Sequence, residues 1–542
     1  MLTEQGKRLV SMAVTATLCA GLLQASAVMA APAGPPGGPG GPGAGGPPAS
    51  IPGAGGPPAM LNWPRPGTYP NVIPMQNMTA GSPTAGSIRS SMARKAVRVK
   101  GPQILLFEIH ALGRLEDIVI HNKTSIHEGA ILRQLAFLKK GKPISAKDVQ
   151  RAAGLVTDLS GVIADVVSEK GSAPGMAVLH VTVYPDKSPQ GDFSIDNYGN
   201  RYLGYGEEML NYDIRNLTHE GDSLFAHIET TGRKYINGTI MYRRPVGKNG
   251  LTMHAGYRHL HYAQGSEFEY LKPYGAAKTY TIGLEYPIHR SQTHDLKVGL
   301  DYEYLDLKDE YKRDGIYFQP GGPFAPKTYF GTWNDKHVNS ATLSLSEKNL
   351  DKHGMTTWTL AYTYGNVSFD SPLTHTFFDD TNCEGAFSKV TAVFLRHQKM
   401  NKRLALQLFA RGQLASRNMD TSGRMGITGI TGVKAYPISE VAGDNAYFTR
   451  AELQWDLPLQ AKEQKLQLLT YLEHGGMKIF KDPVDERKNN RHLQDIGLGL
   501  LWSKKDAWWV RADYAWKLGS EKPESDPNHS NGHFWIQGGF YF

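Results

Sequence analysis

The sequence predicts an all-β transmembrane barrel of about 16 antiparallel strands over residues 187–542, preceded by a small α/β domain. Three observations favour this fold. From Gly191 onward, segment after segment alternates apolar and polar side chains with the period of two that a strand requires. The apolar faces end in Tyr or Trp, as at a membrane interface. The chain also ends on an aromatic strand whose last residue is Phe542.

The composition agrees with a barrel and argues against other classes of protein. The mean hydropathy is −0.39. A membrane-spanning helix needs about 18 consecutive apolar residues, and beyond the N-terminus no run is that long. A disordered chain would not carry 26 Tyr, 19 Phe and 9 Trp. The net charge of +8 is scattered, which argues against nucleic acid as a partner. Because Cys19 lies in the export signal, Cys383 is the only mature cysteine and an internal disulfide is excluded.

Two segments precede the folded part. Residues 1–30 are predicted to be a signal peptide, because Lys7 and Arg8 stand before the apolar run Leu9–Leu23 and Ala30 ends a small-residue cleavage site. Residues 31–100 are predicted to be a disordered tether, because 21 of the 27 residues at 32–58 are Pro or Gly. The mature protein is therefore expected outside the cytoplasm.

Residues 101–186 carry the pattern of the small α/β domain. Helix-period and strand-period segments alternate in the order β-α-α-β-β. The predicted elements are a strand at Leu115–Ile120, helices at Ser125–Leu138 and Ser145–Leu159, and strands at Val162–Ser168 and Met176–Val183. Ser145 is the expected N-cap of the second helix, with Asp148 at its third position.

Residues 187–542 carry the barrel pattern, which Leu296–Tyr304 shows most clearly. A soluble β-sandwich would produce the same alternation, but the aromatic ends of the apolar faces favour the barrel. Phe540 and Phe542 share one face of the last strand, which resembles the C-terminal recognition signal of outer-membrane barrels. At roughly 20 to 24 residues per strand and connection, and with an even count, the region holds about 16 strands.

One connection is unusually long. About 30 residues separate the predicted strands Leu404–Ser416 and Tyr447–Leu453, and connections of that length commonly have a function. Its glycines would allow it to fold back compactly. An ordinary long external loop is the plainer interpretation.

Four motifs together resemble the outer-membrane transporters of two-partner secretion, the hemolysin secretion/activation family. The first, at the start of the barrel, contains Asp196, Asn197, Gly199 and Gly204, and the second is Asn216–Asp222. The third, in the long loop, contains Gly432, Val433, Lys434, Tyr436 and Pro437. The fourth contains Tyr471, Glu473 and Gly475. The resemblance covers residues 101–542, and within it residues 101–186 resemble a POTRA domain.

The resemblance implies that the long loop enters the lumen and that its cation contacts an acid on the inner wall. Here the cation is Lys434 and the acid is Glu473, whereas the family usually has Arg and Asp. Lys keeps only a point charge instead of the guanidinium fork. In a wet lumen such a pair would be weak, so a positional role is expected rather than a stabilising one.

The resemblance also implies function and partners. The chain would export an unfolded partner, a large secreted protein with an N-terminal secretion domain, from the periplasm to the surface of a Gram-negative cell. Outer-membrane lipid and the barrel assembly machinery are further expected partners. The family has two POTRA modules and a plug helix, whereas this sequence shows one complete module. Leu115–Ile120 and Met176–Val183 are candidate edge strands that could pair with the partner.

Nothing in the sequence indicates an enzyme. No H-E-x-x-H spacing, no Gly-x-Ser-x-Gly elbow and no phosphate loop occurs, so no catalytic residue, metal or cofactor is expected. The residues by themselves leave two alternative functions open. One is an assembly factor for other barrels, which would carry more POTRA modules. The other is a diffusion porin, which would need neither the α/β domain nor the Lys434 loop.

Overall fold

The computed structural model describes residues 106–542 except 233, 266–271, 312–330, 373, 376–380, 460, 462, 485, 487, 524 and 526–530. The predicted signal peptide, the predicted tether and residues 101–105 lie outside the described residues. All described residues belong to one compact unit. Among them, no helix is long and apolar enough to cross a membrane.

A four-stranded mixed sheet with two helices forms the α/β domain. Its elements are β1 (Leu106–Ile109), β2 (Arg114–Asn122), α1 (Glu128–Gln134), α2 (Ala146–Thr157), β3 (Val162–Lys170) and β4 (Met176–Pro185). The strand order is β1-β3-β4-β2. One apolar core joins the helices to the sheet, with Leu115, Ile131, Val156 and Val181 buried in it. Ser145 caps α2 in a capping box with Asp148, as predicted.

The domain differs from the sequence prediction in three places. The first helix is shorter than Ser125–Leu138, because the side chains of Asn122 and Thr124 hydrogen-bond the backbone at Ile126 and hold that segment in a turn. A strand not included in the predicted order, β1, pairs in parallel with β3. The proposal that Met176–Val183 is an edge strand is wrong, because β4 lies between β3 and β2.

A closed barrel of 16 strands follows, which confirms the predicted fold. The strands are β5 (Gly191–Asp196), β6 (Glu207–Arg215), β7 (Ser223–Thr230), β8 (Tyr235–Pro245), β9 (Thr252–Ala263), β10 (Pro273–Arg290), β11 (His294–Tyr311), β12 (Gly331–Asp351), β13 (Gly354–Phe369), β14 (Gly385–Lys399), β15 (Leu404–Ala415), β18 (Asn445–Leu457), β19 (Gln464–Lys478), β20 (Asn490–Lys504), β21 (Trp508–Leu518) and β22 (Gly532–Tyr541). Two short strands between β15 and β18, namely β16 (Met425–Gly426) and β17 (Ala442–Gly443), pair only with each other.

Side chains alternate between the lumen and the outer surface. On β20, Ile496, Leu498 and Leu500 are each exposed by more than two fifths on the outside, whereas Asp495 is fully buried inside. An apolar outer face and a polar inner face are the pattern of a barrel immersed in lipid. The outer face is therefore suited to contact lipid, and the inner face is suited to contact the polar groups inside the lumen.

The barrel has two unlike ends. At one end, the short turns 216–222 and 246–251 contact the α/β domain, as does Arg290 at the end of β10. At the far end the connections are longer, and the longest, residues 416–444, joins β15 to β18. We call residues 416–444 the lumen loop, because its side chains contact inward-facing residues of the wall.

Candidate functional site

The lumen loop is packed inside the barrel rather than projecting from it. Val433, Ala435 and Tyr436 are fully buried in an apolar cluster with Phe448 and Tyr471 of the wall. The hydroxyl of Tyr436 donates to the backbone carbonyl of Glu521 at 3.1 Å. Because burial of this much apolar surface is strongly favourable, the loop has a defined position in the lumen.

Two glycines make the close packing at the loop tip feasible. A Cβ on Gly432 would lie 2.1 Å from the carbonyl oxygen of Ile427, within the loop itself. A Cβ on Gly475, which belongs to the wall strand β19, would lie 2.8 Å from Cδ1 of Ile427 and 3.3 Å from Cγ2 of Val433. Both positions therefore lack a side chain because the loop backbone or its apolar side chains occupy that space.

The charged centre of the site joins Lys434 to Glu473. The ammonium of Lys434 donates to one carboxylate oxygen at 2.6 Å, and the backbone N–H of Lys434 donates to the other at 2.8 Å. Arg450 of β18 also donates to Glu473. The Lys434 ammonium lies 3.5 Å from the centre of the Tyr471 ring, in a cation–π contact.

The surroundings of this pair differ from the expectation. The sequence suggested a weak pair in a wet lumen, but the side chains of Lys434 and Glu473 are 1% and 0% exposed. A buried pair is not screened by water, and loss of one partner leaves an uncompensated buried charge. The expectation of wet surroundings is therefore wrong, and the burial couples the pair closely to the position of the loop.

Further anchors of the loop tip come from residues that the sequence did not single out. The backbone N–H of Ala435 donates to Asp495 of β20 at 2.7 Å, and the indole of Trp535 on β22 donates to the carbonyl of Lys434 at 2.8 Å. Strand alternation could have placed Asp495 and Trp535 in the lumen. It could not have shown which loop atoms they meet, because that depends on how the barrel closes.

The last part of the lumen loop, which contains Glu440 and Asp444, also contacts the wall. Glu440 forms an ion pair with Arg491 of β20 at 3.1 Å and accepts the N–H of Ser525 at 2.9 Å. Asp444 pairs with Arg424 within the loop at 3.1 Å and accepts the N–H of Lys481 at 2.8 Å. Loop, wall and neighbouring connections therefore form one network of charges at the far end of the barrel.

Within the described residues, no group of three or more His, Cys, Asp or Glu side chains is arranged to hold a metal ion. Cys383 is a buried free thiol. The arrangement around Lys434 can hold a loop in place, and it presents no nucleophile beside an organised base.

Comparison with known proteins decides the family. The profile of the haemolysin secretion/activation protein family ShlB/FhaC/HecB matches residues 175–314 and 332–487, which is more than half of the chain. The chain belongs to this family. It is an outer-membrane transporter of two-partner secretion, which exports a partner protein. This assignment favours export over the assembly-factor and diffusion-porin alternatives.

Relatives and solved structures agree with the assignment. The heme/hemopexin transporter protein HuxB of Haemophilus influenzae is 22% identical over 431 residues, which cover 78% of this chain and 73% of that protein. CdiB from Escherichia coli has a similar structure, with a TM-score of 0.64 at 15% identity over 79% of this chain and 76% of CdiB. CdiB from Acinetobacter baumannii gives a TM-score of 0.61 at 14% identity over 80% of this chain and 74% of that one.

In this transporter the barrel-start motif closes the barrel. The side chain of Asn197 donates to the carbonyl of Phe534 at 2.9 Å and accepts the N–H of Ile536 at 2.8 Å. It thereby continues the ladder between β5 and β22 beyond the register that ends at Asp196 and Gln537. The carboxylate of Asp196 accepts the N–H of Tyr198 at 2.9 Å. The motif thus joins the first strand to the last.

The glycines of the same motif form a tight turn. A Cβ on Gly199 would lie 1.9 Å from the carbonyl oxygen of Gly204, so a side chain cannot be accommodated there. Gly204 has φ +114°, which is strained for any residue with a side chain. The N–H of Gly204 donates to the carbonyl of Asn200 at 2.8 Å, which closes the turn.

The C-terminal aromatic residues of the transporter lie on its outer surface. Phe540 and Phe542 are each about half exposed. The Phe540 ring contacts Phe193, and the Phe542 ring stacks on Tyr212. The carbonyl of Phe542 accepts the N–H of Gly191 at 2.9 Å. The end of the chain is therefore part of the seam between β22 and β5.

The α/β domain of the transporter is bound to the rim of the barrel by charged groups. Arg290, at the end of β10, donates to both carboxylate oxygens of Asp158 at 2.9 and 2.8 Å. Glu220, in the turn 216–222, contacts His127 at 3.0 Å and also accepts from Arg133. A bidentate pair and a shared carboxylate fix the orientation of the domain beneath the lumen.

Contacts between the α/β domain and the barrel lower the pKa values of Asp158 and Glu220. Burial alone would raise the pKa of Asp158, but the hydrogen bonds and positive charge of Arg290 outweigh it, so the pKa lies below its ordinary range. The hydrogen bonds from His127 and Arg133 lower the pKa of Glu220 against a smaller opposing effect of burial. Both carboxylates are therefore held in their charged form by the docked arrangement.

Proposed function

We propose that the lumen loop controls the export path and that the Lys434–Glu473 pair holds it in the resting position. The observation that carries this proposal is the double contact between them: the backbone and the ammonium of Lys434 bind one carboxylate. A loop held at its backbone cannot shift without breaking that contact. The motif residues Gly432, Val433, Tyr436 and Pro437 shape the loop, and Tyr471, Glu473 and Gly475 form its seat on the wall.

Replacement of the pair tests this role. We expect Lys434→Ala and Glu473→Ala to impair export of the partner while the barrel still assembles. Export is measured as partner protein at the cell surface, and assembly as faster migration of the unboiled barrel on a gel. Wild-type export by both variants would show that the pair is incidental.

We further propose that the α/β domain, residues 101–186, is a periplasmic POTRA-like receptor for the partner. A free strand edge can pair with an extended segment through backbone hydrogen bonds. At the start of β2, the N–H of Leu115 donates to the carbonyl of Lys142 at 2.8 Å, and farther along the strand Asp117 pairs with Lys140 at 2.7 Å. The N–H of Ile118 donates to the side chain of its neighbour Asp117 at 2.8 Å. We therefore favour the edge of β2, which contains the candidate strand Leu115–Ile120.

The remaining parts of the proposal follow from this role. A signal peptide at 1–30 and a tether at 31–100 would deliver the domain to the periplasm. Lipid would contact the apolar outer face, and the barrel assembly machinery would recognise Phe540 and Phe542. The family is one of transporters, and we infer that this member catalyses no reaction and needs no metal or cofactor.

A further inference from the structure

A second closure, separate from Lys434, lies at the far end of the lumen. Inward-facing apolar side chains of eight neighbouring strands, β8 to β15, meet there around three inserted residues, and we call this cluster the outer seal. The wall contributes Tyr235, Leu260, Tyr262, Ala277, Leu305, Leu307, Val338, Val367, Phe387 and Ala415. The inserted residues are Tyr202 and Leu203 from the connection 197–206 and Met419 from the lumen loop.

Tyr202 and Leu203 are held in the outer seal by polar contacts. The side chain of Asn200 accepts the backbone N–H groups of both residues at 2.9 Å. The hydroxyl of Tyr202 donates to the carbonyl of Ser525 at 3.1 Å, and its own carbonyl accepts the N–H of Gly265 at 2.8 Å. This side of the seal is therefore fixed to two other far-end connections.

Met419 is held by the residue that follows it. Asp420 forms an ion pair with Lys336 of β12, and their side chains are 2% and 0% exposed. Asp420 also accepts the N–H of Ser422 at 2.9 Å, and Lys389 donates to the carbonyl of Gly423 at 3.2 Å. The first limb of the lumen loop, which contains Met419, Asp420 and Gly423, is thus attached to the wall at β12 and β14.

The two buried pairs of the lumen loop have opposite polarity and lie on different parts of the wall. At the tip, the loop supplies the cation Lys434 and β19 supplies the acid. At the first limb, the loop supplies the acid Asp420 and β12 supplies the cation. Release of Lys434 alone would leave Met419 in the outer seal, because Asp420 is anchored independently.

We propose that Lys336 and Asp420 are positioning residues that keep Met419 in the outer seal, and that export requires their separation. The proposal goes beyond the role given above to the Lys434 pair. When the pair separates, Met419 leaves the outer seal and an opening forms beside β12 and β14. Until then the apolar cluster blocks solutes at the cell surface.

The test measures leakage through the full-length transporter and needs no partner, so its failure is distinguishable from failure of the proposed export role. Lys336→Met and Asp420→Asn each remove one charge of this buried ion pair, which favours movement of the remaining charge into water. We expect each variant to lower the closed population by about tenfold or more. The readouts are conductance in planar lipid bilayers and sensitivity of the cells to vancomycin.

Three further variants make the test specific. The double variant Lys336→Met/Asp420→Asn removes both charges, and we expect it to leak less than either single variant. Met419→Asp places a charge in the outer seal while the ion pair stays intact, and we expect it to leak. Thr342 lies on β12, as Lys336 does, and Thr342→Ala removes a buried lumen contact with Thr363 of β13. We expect this variant to behave as wild type.

Two results would overturn the proposal. One is wild-type conductance for Lys336→Met, Asp420→Asn and Met419→Asp in barrels that assemble normally by gel migration. The other is leakage by the double variant that exceeds each single variant by the full effect of the second substitution, which would show that the two charges act separately.

Discussion

Lys434 and Glu473 are joined through both the backbone and the side chain of Lys434, with one contact to each carboxylate oxygen, at 2.8 and 2.6 Å. The two ends of this contact are therefore not equivalent. Lys434→Ala removes the ammonium and keeps the backbone donor. Glu473→Ala removes both contacts and also leaves Arg450 without this acceptor.

This asymmetry predicts graded defects. We expect Glu473→Ala to lose more export than Lys434→Ala, because removal of the shared acid from a buried site costs about 3–5 kcal/mol. Glu473→Gln is the matched variant, since it keeps an acceptor without the charge and should lie between them. The measurement is partner export at equal amounts of assembled barrel. Equal defects for all three variants would contradict a role for the backbone contact.

The loop tip should not tolerate a side chain at Gly432. We expect Gly432→Ala to displace the loop and impair export, because its Cβ would collide with the backbone oxygen of Ile427 at 2.1 Å. The control is Gly426→Ala in the same loop, where the nearest atom is 3.8 Å away. Both variants are compared with the wild-type transporter by partner export and by conductance in planar lipid bilayers. A normal Gly432→Ala transporter would mean that the tip can shift without functional cost.

The seam of the barrel should depend on Asn197. Asn197→Leu removes two hydrogen bonds to β22, each worth about 0.5–1.5 kcal/mol, and should lower the temperature at which the barrel unfolds on a gel. Asn197→Asp keeps the acceptor for Ile536 and loses the donor to Phe534, so its effect should be about half as large. Unchanged unfolding temperatures would show that the ladder of β5 and β22 alone holds the seam.

Docking of the α/β domain should weaken in acid. In the docked arrangement the pKa values of Asp158 and Glu220 are lowered. Their contribution to the stability of docking is therefore complete at neutral pH and is lost as the pH falls through those lowered pKa values. Energy transfer between fluorophores on the domain and on the barrel rim measures the change. Asp158→Asn/Glu220→Gln should undock at neutral pH and lose the acid response. An acid response retained in that variant would assign it to other groups.

Pairing of the partner with β2 should be sensitive to the backbone. Ile120→Pro removes an N–H on the same edge as that of Ile118, whereas Ile120→Ala removes a similar amount of side chain and keeps the N–H. We expect the proline variant to reduce export far more than the alanine variant. Far-ultraviolet circular dichroism of the full-length protein verifies the fold of both. If a folded Ile120→Pro variant exports normally, the partner binds elsewhere.

The sequence predicted the barrel well because its evidence is local. A residue on a strand faces either lipid or lumen, and alternation along Leu296–Tyr304 or near Glu473 reveals which. The motifs likewise identified Gly432, Asn197 and Gly199 as special positions. The structure supplies the physical reasons: a Cβ would collide at the two glycines, and the Asn197 amide continues the strand ladder.

Tertiary structure alone decided which of these residues meet. The closure of the barrel brings Trp535 and Asp495 to the loop residues Lys434 and Ala435, and it places Lys336 opposite Asp420. It also buries the Lys434–Glu473 pair, which was expected to lie in a wet lumen. Alternation fixes the direction of a side chain within its own strand. Contacts across a lumen depend on strand order, register and the path of a long loop, which are set by the whole barrel.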